Sequence, residues 1–325
     1  MNIWKPEVYH GARKKGKFFE GWFYKFVDKT AENVYAVIPG IFIAEDPEDS
    51  HSFIQVLDGQ SHQASYHRFP VESFKASGDK LVINIEKNHF SDTNVELDIT
   101  DDIRSITGSI KMDKLNPWPV SFFSPGAMGW YAFTPLMECY HGVVSLDHQI
   151  NGNILVKGDQ ISFDEGRGYI EKDWGKSFPS AYVWIQSNHF HLPGTSLMVS
   201  VARIPWLTGD FRGFIIGFTL DGILYRFTTY TGARLRYLRL TDTHVSLEVT
   251  NRKFRLQVEA VLSEGGLLHA PYEMSMIRRV AETLRSQVHV RLEKFGNDGG
   301  RIIFGGTGNP AGLDVNGKLE EIVDG

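Results

Sequence analysis

The feature that most constrains this chain is the recurrence of short runs in which apolar and polar residues alternate, broken by tight-turn dipeptides. Leu81-Val-Ile-Asn-Ile-Glu, Val95-Glu-Leu-Asp-Ile, His244-Val-Ser-Leu-Glu-Val and Phe254-Arg-Leu-Gln-Val-Glu each show the period of two that marks a half-buried strand. Ser77-Gly78-Asp79, Asn151-Gly152, Asp221-Gly222 and Asn316-Gly317 read as hairpin turns between such runs. Strands at roughly ten-residue spacing with tight turns predict an all-β sandwich or barrel. No repeat is visible, but both halves read as β-meanders. A division near residue 150 then gives one barrel over 1–150 and a second over 151–325. One short helix is predicted from Tyr272 to Arg285, where Met276, Ile277, Val280, Ala281 and Leu284 recur at helical spacing behind Pro271.

A chain of 325 residues is long enough for two such cores. Charged residues make up 22%, both signs are mixed along the chain and the net charge is −5, which argues against a nucleic-acid partner. Cys139 is the single cysteine, so neither an intrachain disulfide nor a multi-cysteine metal site can form. The opening Met1-Asn-Ile-Trp-Lys-Pro-Glu lacks the layout of a signal peptide, and the expectation is a cytoplasmic protein, at most in peripheral contact with a membrane. From Leu115 to Met137 there is no charge, yet Pro117, Pro119, Pro125 and Pro135 exclude a regular spanning helix. Residues 115–137 are expected to form an aromatic connector or lid. Trp118, Phe122, Phe123, Trp130, Tyr131 and Phe133 would face a cavity or a neighbouring barrel, and the alternatives are a buried linker and a membrane-facing lid.

Chemistry concentrates in Gly168-Tyr-Ile-Glu-Lys-Asp-Trp-Gly-Lys-Ser-Phe-Pro-Ser and in Tyr182-Val-Trp-Ile-Gln-Ser-Asn-His. Polar groups among large aromatics are costly to bury unless paired, so such a cluster has a purpose. Glu171 and Asp173 are two apart and share a strand face, with Lys172 opposite, while Trp184, Gln186 and Asn188 make a second same-face ladder. In Phe18-Phe-Glu20-Gly-Trp22-Phe-Tyr24, the carboxylate of Glu20 is either salt-bridged at a barrel rim or aimed at a ligand.

Other motifs carry less. Gly306-Thr-Gly308-Asn-Pro-Ala-Gly312 cannot be a dinucleotide fingerprint, because Pro310 interrupts it and too little chain follows for a βαβ unit; it reads as a turn, and no cofactor is expected. His189 and His191 have a metal-compatible spacing but no identifiable third ligand, so no metal is expected. Cys139 and His141 lack the third orienting group of a nucleophilic site, which leaves a buried thiol and an imidazole suited to acid–base work.

Taken together, these residues resemble the tocopherol cyclase family. Phe18-Phe-Glu-Gly-Trp-Phe is similar to its amino-terminal motif, and Tyr169-x-Glu-Lys-Asp-Trp-Gly-x-x-Phe-Pro with Trp184-x-Gln-x-Asn is similar to its central signature. The region from Arg255 to Leu292 is also alike, whereas Asp173 stands where the plant cyclases have Asn and the segment from Trp118 to Tyr131 does not match. The resemblance implies two lipocalin-like barrels, a fold shared with carotenoid hydratases, and a lipophilic isoprenoid ligand. It implies closure of a prenylated phenol onto its own alkene, started by a proton and needing no redox cofactor.

In that reading Glu171 or Asp173 is a carboxylic acid kept neutral by burial. Tyr169, Trp174 and Trp184 present ring faces to the cation, with Trp22 and Trp130 also lining the substrate. Gln186 and Asn188 hold the phenol oxygens, and His141 or Glu20 removes the proton. The alternatives are a rim salt-bridge network of Glu171, Lys172 and Asp173, a non-catalytic lipid carrier, and a terpenoid hydratase.

Overall fold

A computed structural model describes residues 2–14, 16–101, 103–135, 137–206, 209–272, 275–296 and 300–324, without the side chains of 13 and 277–279. The alternating runs become strands. In chain order these are β1 (Phe18–Val27), β2 (Val34–Ile43), β3 (His51–Asp58), β4 (Ala64–Phe69), β5 (Phe74–Ala76), β6 (Val82–Ile85), β7 (Asn88–Ser91), β8 (Asn94–Thr100), β9 (Ser105–Asp113), β10 (Cys139–Val156), β11 (Asp159–Ser162) and β12 (Gly166–Gly175). They continue as β13 (Ala181–Ser187), β14 (Ser196–Trp206), β15 (Gly209–Leu220), β16 (Ile223–Thr228), β17 (Arg234–Leu240), β18 (His244–Thr250), β19 (Phe254–Val261), β20 (Gly266–Tyr272), β21 (Ser275–Lys294) and β22 (Arg301–Gly317).

The first 12 strands form one antiparallel sheet in the order β4-β3-β2-β1-β12-β10-β9-β8-β7-β6-β5, with β11 beside β10. Trp22, Tyr24 and Phe26 of β1, Ile54 and Val56 of β3, and Ile83 and Ile85 of β6 bury into one cluster. Phe69 on β4 and Phe74 on β5, at opposite ends of the strand order, pack on that same cluster. A sheet whose two ends share a core has rolled into a barrel. The second sheet, β16-β15-β14-β13-β22-β21-β19-β18-β17, does likewise, since Phe227 of β16 and Leu238 of β17 join one core with Val183 and Ile185. Both are antiparallel barrels of the lipocalin-like kind, and each fully buried aliphatic or aromatic side chain contributes about 1.5–3 kcal/mol.

The chain divides into Met1–Phe178 with Gly266–Val280, and Pro179–Gly265 with Ala281–Gly325. The boundary therefore lies after Phe178 and not near residue 150, because β12 is paired between β1 and β10 and completes the first sheet. Asn151-Gly152 is not a turn but lies inside the long β10. A Cβ on Gly152 would come 2.2 Å from the Ser109 carbonyl oxygen, so glycine serves close strand approach there. Asp221-Gly222 is a hairpin turn as expected, with φ of 51° and 74°. The excursion over 266–280 docks on the first sheet through Gln55, which donates to the His269 carbonyl (2.9 Å) and accepts from the His269 N–H (2.8 Å).

The expected helix is absent among the described residues; residues 273 and 274 and the side chain of Ile277 lie outside them. Residues 275–294 form β21, and Met276, Val280, Glu282, Thr283, Leu284, Ser286, Val288, Val290, Leu292 and Glu293 are its buried positions among the described side chains. A spacing of four fits both periods, and the buried polar Glu282 and Ser286 interrupt the apolar alternation that would have revealed the strand. Gly306–Gly312 likewise lies inside β22 and is no turn. Side chains from the paired strand β13 cross its glycines: a Cβ on Gly312 would sit 2.6 Å from the Trp184 ring, and one on Gly308 2.7 Å from Ser187 Oγ.

The 115–137 segment belongs to the first unit, between β9 and β10, and does not link the two. Trp118 is buried, but Phe122, Phe123, Trp130 and Phe133 are exposed, so the expectation that these rings face a cavity fails. No helix among the described residues is long and apolar enough to cross a membrane; this says nothing about β-barrels.

His148 on β10 is buried beside Gly168, and burial, with Arg167 adding to it, pushes the imidazole down to about 3. A folded pKa below the unfolded value of 6.5 means that the unfolded chain binds more protons between these limits. Its contribution to stability is therefore complete above pH 6.5 and is lost as pH falls toward 3. Melting curves between pH 4 and 7 should show this decline, at most about 1.4 kcal/mol per pH unit from this one group. The decline should be shallower in His148→Gln.

Candidate functional site

Strand β12 runs between β1 and β10, and its alternation sorts the signature residues onto two faces. Ile170, Lys172 and Trp174 share a side with Trp22, Tyr24 and Glu20 of β1, the side of the barrel core. Tyr169, Glu171 and Asp173 point to the other side, where β10 brings His141 opposite Asp173 and β1 brings Lys25 opposite Tyr169.

The outward group consists of two hydrogen bonds joined by an ion-pair contact. Tyr169 donates its hydroxyl to Glu171 Oε2 at 2.5 Å; His141 Nε2 lies 3.6 Å from that same oxygen, and His141 Nδ1 bonds Asp173 Oδ1 at 2.9 Å. Tyr169 and Glu171 are buried, whereas Asp173 is only partly so. Burial alone would push the His141 imidazole down, but the Asp173 and Glu171 charges and the bond to Asp173 reverse this and raise it to about 9. At neutral pH the imidazolium stands between two carboxyl groups. Burial, reinforced by Glu171, pushes the Tyr169 phenol well up, so that it remains a donor. The Cys139 thiol, 3.8 Å from Asp173, is also pushed well up by burial and by that charge, which keeps it from acting as a thiolate. Phe19, Phe42, Phe53 and Met276 form an apolar cluster packed with Cys139 and Phe178. The ligand atoms of His141, Glu171 and Asp173 lie within 4.8 Å of one another, so these three are also the residues that could hold a divalent cation.

On the core side, Lys172 is fully buried and ion-paired to Glu20. It donates to the Val8 carbonyl (2.6 Å) and sits 4.5 Å and 4.6 Å from the ring centroids of Trp22 and Trp174. Glu20 accepts the His10 backbone N–H at 2.9 Å, and His10 stacks on Trp174 at 4.5 Å. Burial lowers Lys172 to about 8 against the pull of Glu20. The structure thus separates Glu20, Trp22 and Trp174 from the Glu171 group and gives Glu20 a lysine. Lys172 pairs with Glu20 on the core side while Glu171 and Asp173 face the other way, so Glu171, Lys172 and Asp173 are not one rim network.

In the second unit, Ala181, Val183 and Ile185 of β13 enter the core, which turns Tyr182, Trp184 and Gln186 to the outer face. Gln186 is fully buried, and among the described residues neither of its amide atoms has a hydrogen-bond partner. Asn188 lies just past the end of β13, where its side-chain oxygen meets His189 Nδ1 at 2.9 Å, and His191 stacks on Phe304 at 5.5 Å. Trp130, in the first unit, stacks on Tyr131 at 4.0 Å at the surface.

Sequence reasoning missed Tyr182, Asp314 and Glu282. Tyr182 donates to Asp314 Oδ2 at 2.6 Å, and Glu282 lies directly across from Asp314 between β21 and β22; all three are buried. Glu282 was hidden within the apparent helix. Asp314, between Leu313 and Val315, carried the signal of a lone carboxylate at an alternate position of an apolar strand.

The family model described as Tocopherol cyclase-like matches residues 110–317. The tocopherol cyclase, chloroplastic, of Zea mays is 28% identical over 199 residues, which is 58% of this chain and 41% of that protein. The probable tocopherol cyclase, chloroplastic, of Oryza sativa subsp. japonica is 28% identical over 58% of this chain and 42% of its own length. The match thus spans about two fifths of these relatives. Among solved structures, CghA with Sch210972 superposes with a TM-score of 0.58 at 11% identity, covering 95% of this chain and 89% of that one. A structure assigned as an AttH from Nitrosomonas europaea gives 0.55 at 14% identity, covering 94% of each chain. At these identities the likeness is one of fold.

Proposed function

The chain belongs to the tocopherol cyclase-like family, and from that premise we propose that it is a cofactor-independent enzyme that closes a prenylated phenol or quinol, or a related isoprenoid, into a chromanol-type ring. The observation that carries this is the buried Tyr169–Glu171–His141–Asp173 chain, which holds an extra proton at neutral pH beside two carboxyl groups. Glu171, fed by the His141 imidazolium, delivers a proton to the alkene carbon. The tertiary cation is captured by the phenol oxygen, and the phenol proton returns to the His141–Asp173 pair. A C–H and a C–O bond form while the alkene π bond and the O–H bond break, so substrate and product are isomers. Excluding water directs the cation to the ring and away from a tertiary alcohol. A cytoplasmic location is part of the same proposal.

The test is incubation of the purified chain with a prenylated hydroquinone in D2O. The expected product is a chromanol that carries one new carbon-bound deuterium and shows a changed retention time. A product heavier by one water would make it a hydratase. A bound but unaltered ligand across pH 5–9 would sink the enzymatic reading and leave a carrier. Activity that disappears on chelation and returns with a divalent ion would assign His141, Glu171 and Asp173 to a metal instead of a proton relay.

A further inference from the structure

The uncharged segment between β9 and β10 ends in a tight tip. Ser121 N–H donates to the Ser124 carbonyl at 3.0 Å, and Ser124 N–H returns the bond to Ser121 at 3.2 Å. Between these pinned ends stand Phe122 and Phe123, 69% and 80% exposed, edge to face at 5.0 Å. Trp4 stacks on Phe122 at 5.9 Å, donates its indole N–H to the Phe122 carbonyl at 3.2 Å and meets Phe133 edge-on at 6.0 Å. Phe133, about half exposed, extends the patch. The foot is fixed by the buried Trp118 and by Asn116, whose N–H donates to Ser145 Oγ at 3.1 Å and whose carbonyl accepts from Leu146 N–H at 2.8 Å.

We propose that the Phe122–Phe123 tip inserts into the surface of a lipid bilayer. Exposing several large rings together is costly in water unless the patch has a partner. Three features favour lipid over another protein surface. The segment from Leu115 to Met137 carries no charge, so an uncharged hydrocarbon edge complements it and nothing ionic must be desolvated. The tip pairs its own backbone at Ser121 and Ser124, which a medium without water demands. Phenylalanines form the apex while Trp4, with a polar N–H group, stands beside it, in the order of rings at a membrane interface. The tip belongs wholly to the first unit, so the proposal does not depend on the cyclase reading.

The experiment is cosedimentation of the full chain with phosphatidylcholine vesicles, comparing wild type, Phe122→Ser with Phe123→Ser, and Ile223→Ser as an exposed apolar control on the second unit. Wild type and control should partition equally, and the double variant should lose about tenfold or more in partitioning for each phenylalanine that was immersed. Circular dichroism and turnover of a detergent-dispersed substrate should be unchanged in that variant. Equal partitioning of all three proteins, or no binding by wild type, would overturn the proposal. So would a wild-type dimer in sedimentation velocity that the double variant loses, which would assign the patch to a second copy of the chain.

Discussion

Glu171→Gln should lower the rate of ring closure by ~10²–10⁴-fold, the range for loss of a positioned general acid. Glutamine keeps the shape and can still accept the Tyr169 hydroxyl, so urea unfolding should move little while the transferable proton is gone. His141→Gln should fall in the same range, because it removes the group that reloads Glu171. Asp173→Asn should behave differently. It preserves an oxygen acceptor for His141 Nδ1 but removes the charge that raises the imidazole toward 9. The rate near neutral pH should stay within about tenfold of wild type. The activity of wild type should be present below about pH 9 and fade as pH rises through that value, because it needs the imidazolium. In Asp173→Asn that alkaline limb should move to lower pH. Profiles of kcat/KM from pH 6 to 10 would decide it. A Glu171→Gln enzyme that is folded and fully active places the acid elsewhere, with the Glu282–Asp314 pair the first candidate.

The faces of the site strand were legible before any coordinates, and the reason is the rigidity of the strand period. Once β12 is a strand, Glu171 and Asp173 must share a side and Lys172 must take the other. What the sequence could not supply was partnership across strands. That His141 falls opposite Asp173, a residue far along the chain, depends on the β10–β12 register, with bulges near Val143 and Ser145. That Glu20 belongs to Lys172 likewise follows only from the β1–β12 register. The helix misassignment has a comparable origin: Met276, Val280 and Leu284 are four apart, and the burial of Glu282 and Ser286 at the alternate positions distinguishes a strand. The exposed tip was illegible for another reason. Uncharged aromatic segments look the same whether they are buried or bare, and the sequence favoured burial where the structure exposes Phe122 and Phe123.

Lys172→Met should destabilise the first barrel by about 3–5 kcal/mol, the cost of leaving one partner of a buried ion pair behind. Glu20 would keep the His10 backbone N–H and ring Nδ1 contacts but lose its counterion in a site that excludes water. Glu20→Gln should cost less, because Lys172 is already lowered to about 8 and can shed its proton once its counterion is removed. Replacing both residues at once should cost less than the sum of the single changes, since no orphaned charge remains; the difference is the coupling energy. Urea unfolding of the four proteins measures it. The same pair ties down the amino-terminal segment, since Lys172 also holds the Val8 carbonyl and Glu20 the His10 N–H. Protease cleavage within residues 2–14 should therefore accelerate in Lys172→Met before the barrel itself unfolds. Because Glu20 and Lys172 lie on the opposite face from Glu171, both single variants should retain kcat at temperatures where they remain folded. Strict additivity in the cycle would mean that the pair is held by the surrounding rings and backbone and not by its own attraction. A loss of kcat without loss of stability would return Glu20 to the chemistry.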